Sequence, residues 1–85
     1  MRFEYIPKGV CSRKMVFEME GDVVTNLVVT GGCAGNLLGI SRLIRGMHIA
    51  EIVEDFKGVR CGLKRTSCPD QIAEALLAYE AQYLK

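Results

Sequence analysis

Tryptophan is missing from the 85 residues, proline occurs twice and histidine once, and no apolar run approaches the length of a membrane span. The longest such stretch, Leu37 to Ile44, is broken by Gly39, Ser41 and Arg42. A bilayer-crossing helix needs about twenty consecutive apolar residues, so no membrane segment is expected. An excess of charge of one sign is also lacking. Eleven Lys plus Arg stand against ten Asp plus Glu, a formal balance of +1, which gives no direct signal for nucleic acid and no pull toward an anionic membrane. The opening Met1-Arg2-Phe3-Glu4-Tyr5 has neither the apolar core nor the small-residue cleavage site of a secretory signal. The expectation is a cytoplasmic protein.

What is present is the composition of a folded globule: 49% hydrophobic, 25% charged, nine glycines and no low-complexity tract. A length of 85 residues suits one domain, and residues 1–85 read as a single one. So small a domain buries only about 60 to 65% of its unfolded surface, so a covalent or metal staple would strengthen it. The candidates are Cys11, Cys33, Cys61 and Cys68. In a reducing cytoplasm four cysteines read better as ligands or redox groups than as disulfides.

The hydrophobic pattern predicts an α+β fold, with an antiparallel sheet of two to three strands packed against about three helices. Phe3 and Tyr5 alternate with Arg2 and Glu4 before the Pro7-Lys8-Gly9 break, a short strand and a turn. Met15, Phe17 and Met19 alternate with Lys14, Val16, Glu18 and Glu20 up to Gly21-Asp22, and the β-branched run Val23 to Thr30 follows, which makes a hairpin. Its outer ends lie side by side, so Cys11 before it and Cys33 after it are expected at the same end of the sheet. The period then changes to that of a helix, with Leu37, Ile40, Leu43 and Ile44 on one face and Gly46 as its stop. A second helix carries Ile49, Ile52, Val53 and Phe56 and closes at Lys57-Gly58. The third begins where Thr66 and Ser67 offer capping oxygens, Pro69 suits the first turn and Asp70 complements the dipole. Its apolar stripe is Ile72, Leu76, Tyr79 and Tyr83.

Each cysteine adjoins a break in regular structure, whereas cysteines that merely fill a core belong inside an apolar stripe. The spacing C-x21-C-x27-C-x6-C lacks the C-x2-C pairs of zinc knuckles. By itself it leaves three readings open: metal ligands, redox thiols, and thiols without a role. Arg13, Arg60, Lys64 and Arg65 flank the cysteines, and Cys68 falls at a helix amino terminus. Positive charge of this kind offsets the negative charge of a four-thiolate site.

The run Thr66-Ser67-Cys68-Pro69-Asp70 spells the motif after which the TSCPD domain is named. With the other three cysteines, the chain resembles the small four-Cys TSCPD proteins over roughly Cys11 to Tyr83. The same domain closes adenosylcobalamin-dependent (class II) ribonucleotide reductases, and the resemblance implies a link to deoxyribonucleotide synthesis. The radical chemistry of that oxidoreductase needs a large barrel and a cobalamin site, which do not fit in 85 residues. A second similarity is to NifU-like iron–sulfur scaffold proteins, in the order of Cys11, the Gly32-Cys33 turn and Cys68, and in Gly46. The chain departs from that pattern where Ser12 and Arg13 follow Cys11 and where Ser67 precedes Cys68. Cys61 then supplies a fourth ligand, which favours a closed site over cluster hand-off.

Other groups carry less. His48 has no second histidine to join it and reads as a surface or capping residue. Gly31 to Asn36 is glycine-rich but matches no nucleotide fingerprint. Ser12, Ser41 and Ser67 have no identifiable base, and no catalytic residue emerges. Glu51, Glu54 and Asp55 read as a solvated face, and Met15, Met19 and Met47 as core or rim. The leading expectation is a metal-binding accessory module in which Cys11, Cys33, Cys61 and Cys68 hold Zn²⁺ or an Fe–S cluster. The alternatives are an iron–sulfur scaffold or carrier, a Cys61–Cys68 dithiol relay to a reductase, and a structural domain that docks a partner on its helical face. The expected partners are a metal ion and a reductase or cluster-receiving protein.

Overall fold

Three strands and three helices follow the order that the periodicities predict. A computed structural model describes residues 1–10, 12–31, 34–59 and 66–84, those of 34–37 by backbone alone. Strand β1 covers Arg2–Tyr5, β2 Ser12–Glu20 and β3 Val23–Gly31, and they form one antiparallel sheet in the order β1-β2-β3. Period-two alternation directs Met15, Phe17 and Met19 of β2 to one face, and a register shift that leaves Thr25 as an extra residue of β3 brings both Val24 and Leu27 to the same face, where all are buried. The other face carries charge, including a Lys14–Glu4 ion pair at 2.8 Å. Gly21-Asp22 turns the hairpin, and the ladder runs from Glu20 opposite Val23 to Ser12 opposite Gly31. Fully burying side chains such as Phe17 and Met15 contributes about 1.5 to 3 kcal/mol each.

Helices cover the apolar face of the sheet: α1 Ala34–Leu43, α2 Ile49–Phe56 and α3 Cys68–Tyr79, the last running on into a π-helical turn over Glu80–Leu84. Ile44, Ile49, Ile52, Ile72, Ala75, Leu76 and Tyr79 complete the core with the sheet residues. After α1 the chain reverses at Gly46, whose φ of +82° lies in the left-handed region that favours glycine. Its N–H donates to Val24 O at 2.8 Å, and Val24 N–H donates to Met47 O at 3.1 Å, so the helix end is tied directly to β3.

Two side chains depart from the expected faces. Leu43 is 68% exposed, while its neighbour Ile44 is 0% exposed and Ser41 is buried. The buried face of this segment therefore passes through Ser41 and Ile44, a spacing of three residues, and Leu43 lies about 100° away from Ile44. Tyr83, expected on the core stripe, is 45% exposed. It rests at the rim, with its ring 6.1 Å from Phe3 and 5.3 Å from Tyr79.

Candidate functional site

The first turn of α3 is built from the Thr66 to Gln71 run, and nearly every polar atom of that run is committed to the scaffold. Ser67 caps the helix with extended backbone, φ −144° and ψ 172°. Its Oγ accepts the Asp70 N–H at 3.2 Å and donates to Val59 O at 2.5 Å. Thr66 Oγ1 donates to Asp70 Oδ2 and accepts from Gln71 Nε2 at 3.0 Å. Asp70 Oδ1 accepts the Gly58 N–H at 2.7 Å, beyond the end of α2. Gln71 Oε1 accepts the Lys8 N–H at 2.9 Å across 63 positions of sequence. Ser67, Asp70 and Gln71 are all buried, as polar groups can be when hydrogen-bonded. An exposed Lys57–Glu74 ion pair at 2.7 Å adds a second tie between α2 and α3. Partial burial, then the charges of Glu74 and Asp70, push the Tyr5 hydroxyl above the ordinary phenol range.

Held by this clamp, Cys68 is the first residue of α3 and Pro69 the second. Cys68 is a free, partly exposed thiol. Its sulfur lies 3.5 Å from Ser12 Oγ, although the two residues are 56 positions apart. Ser12 is the first residue of β2 and stands opposite Gly31, the last of β3. The thiol of the motif is thus at the open end of the hairpin, away from the Gly21-Asp22 turn. Cys11, Cys33 and Cys61 lie outside the described residues. Among the described residues, no three of His, Cys, Asp or Glu converge as a metal site would require.

His48 lies near the opposite end of the sheet and has the capping role expected of it. It is the residue preceding α2, with φ −78° and ψ 151°, and its N–H donates to Glu51 Oε1 at 3.0 Å. Its Nδ1 meets Asp22 Oδ2 at 2.9 Å, while Asp22 O accepts the Ile49 N–H at 2.8 Å. The hydrogen bond with Asp22 raises the His48 pKa above the ordinary imidazole value and lowers that of Asp22 below the ordinary carboxylate value. Both side chains are about half exposed, which suits a surface tie between hairpin and helix. Glu51, Glu54 and Asp55 are exposed, as their spacing predicts, and Met15 and Met19 are core.

Sequence reasoning did not assign two of the residues that shape this corner. Gln71 has no pattern that announces a contact with Lys8. Ser12 carried a signal only in its place beside Cys11. Asp70 was expected to complement the helix dipole, and its second oxygen proves to anchor the end of α2.

Among the described residues, no helix is long and apolar enough to cross a membrane. The family model of the TSCPD domain matches residues 1–80. No curated protein and no solved structure matches the chain.

Proposed function

This chain belongs to the TSCPD domain family, and from that premise we propose that Cys11, Cys33, Cys61 and Cys68 together bind a metal centre, Zn²⁺ or an Fe–S cluster. The observation that carries the reading is the meeting of Cys68 Sγ with Ser12 Oγ at the open end of the hairpin. Cys11 is the residue before Ser12, and Cys33 is two residues past Gly31, the partner of Ser12. Cys61 is two residues past Val59, whose carbonyl accepts from Ser67. Two residues of chain reach about 7 Å at most, so connectivity permits all four thiols to meet near Cys68. Four thiolates are a donor set that zinc takes in tetrahedral geometry and that iron–sulfur clusters also accept.

The clamp supports the same reading. Thr66, Ser67 and Asp70 spend their side chains on holding segments together, which leaves Cys68 as the motif residue available for chemistry. A metal there would join the start of β2, the end of β3 and the start of α3, supplying the staple that a small core lacks. The likeness to the end domain of ribonucleotide reductases favours an accessory role to a reductase in deoxyribonucleotide synthesis. The partial exposure of Cys68 also suits a second reading, a dithiol relay with Cys61.

Thermal unfolding with and without a chelator tests the centre. The expected result is a large fall in the melting temperature on metal removal, and a similar fall in each single Cys→Ser variant. Equal stability with and without metal would sink the proposal, and a Cys61–Cys68 disulfide formed under mild oxidation would move the assignment to the relay.

A further inference from the structure

Resting on that metal-centre reading, we propose that Ser12 is a positioning residue of the centre, its hydroxyl donating a hydrogen bond to the metal-bound sulfur of Cys68. The strand itself points to this role. In β2 the buried apolar positions are Met15, Phe17 and Met19, and strict alternation from them would place Arg13 inward and Ser12 outward. The structure has the reverse, with Ser12 only 4% exposed and Arg13 exposed. The cause is a break in register: Ser12 faces Gly31 and Lys14 faces Thr30, so Arg13 is the extra residue of a bulge. Bulges re-aim side chains, and this one turns a hydroxyl toward the α3 amino end.

Once there, Ser12 Oγ has Cys68 Sγ at 3.5 Å. In the free thiol either atom can be the donor. A metal-bound sulfur has lost its proton and can only accept, so Ser12 must then donate, in a charge-assisted bond stronger than one between neutral groups. Such a bond fixes the direction of the sulfur lone pairs and draws electron density from the sulfur. Outer partners of metal ligands are typically worth about 10 to 100-fold in affinity.

The test compares the full chain with Ser12→Ala, Ser12→Val and Ser12→Thr, using Zn²⁺ in competition with a chromophoric chelator and Co²⁺ as an optical probe. The expected result is zinc binding about 10 to 100-fold weaker in Ser12→Ala and Ser12→Val, with Ser12→Thr close to wild type. The thiolate-to-cobalt charge-transfer band should move to lower energy in the two variants lacking the hydroxyl, because the sulfur then holds its electrons less tightly. The Thr and Val pair differs only by hydroxyl for methyl, so it decides the matter even if Ser12→Ala does not fold. Equal affinities and unmoved bands across all variants, with wild type binding metal, would remove the role of Ser12 alone. A wild-type chain that binds neither Zn²⁺ nor Co²⁺ would overturn the centre and this inference with it.

Discussion

Asp70 and Gly58 are joined by a hydrogen bond in which the Gly58 N–H donates to Asp70 Oδ1 at 2.7 Å. Lys57, which ends α2, has extended backbone with ψ 129°, so the N–H of Gly58 that follows leaves the hydrogen-bond ladder of the helix. The carboxylate of the motif supplies the acceptor, while its other oxygen takes the Thr66 hydroxyl. Asp70→Ala leaves both donors without that acceptor, at a cost of about 1 to 3 kcal/mol. For a domain of this size, each kcal/mol lowers the melting temperature by about 4 to 8 °C. Asp70→Asn, which keeps one acceptor oxygen, should lose less. An unchanged melting temperature in Asp70→Ala would show that the clamp is not needed for the fold.

The neighbours Leu43 and Ile44 separate sequence pattern from packing. Ile44→Ala should destabilise by about 2 to 5 kcal/mol, as truncation of a buried aliphatic does. Leu43→Ala, at a mostly exposed side chain, should fall within about 0.5 kcal/mol of wild type. Urea unfolding of the two variants distinguishes them, and equal losses would contradict the observed face of this segment.

The surface pair of His48 and Asp22 gives a pH-dependent contribution with a defined window. The folded pKa of His48 is raised, so its contribution is complete below the unfolded value of about 6.5 and fades as pH rises through the folded one. The folded pKa of Asp22 is lowered, so its contribution is complete above the unfolded value of about 3.9 and fades as pH falls through the folded one. The pair therefore stabilises most between those two unfolded values. Titration of the His48 ring by NMR should give a midpoint above the free-imidazole value that returns toward it in Asp22→Asn. Identical midpoints in the two proteins would rule out the interaction.

The strands, the hairpin turn, the helix starts and most of the core were legible because each rests on local periodicity or a local cap. Phe17 and Met15 follow period two, Ile49 and Ile52 follow the helical period, and Ser67 caps where its residue type predicts. Leu43 was misread because a helical stripe specifies a face only to within a side chain or so, and Ser41 takes a place that an apolar residue would have marked. Ser12 was illegible for a different reason. A bulge at Arg13 reverses the alternation, and nothing in the composition of Ser12-Arg13-Lys14 announces it. The contacts of Gln71 with Lys8 and of Asp70 with Gly58 join distant segments, which no local pattern encodes. In the candidate site, the capped helix start bearing Cys68 is the part that sequence and structure describe alike.

The proposed function requires the four cysteines of this TSCPD domain to share one metal centre. Elemental analysis with an optical spectrum, on protein purified anaerobically from cells supplied with iron and zinc, tests it most directly. About one zinc per chain without visible absorption, or iron and sulfide with charge-transfer bands, is the predicted result. In either case Cys68→Ser should lower the metal content sharply. A wild-type chain that is folded, metal-free and no less stable than after incubation with zinc or iron would contradict it.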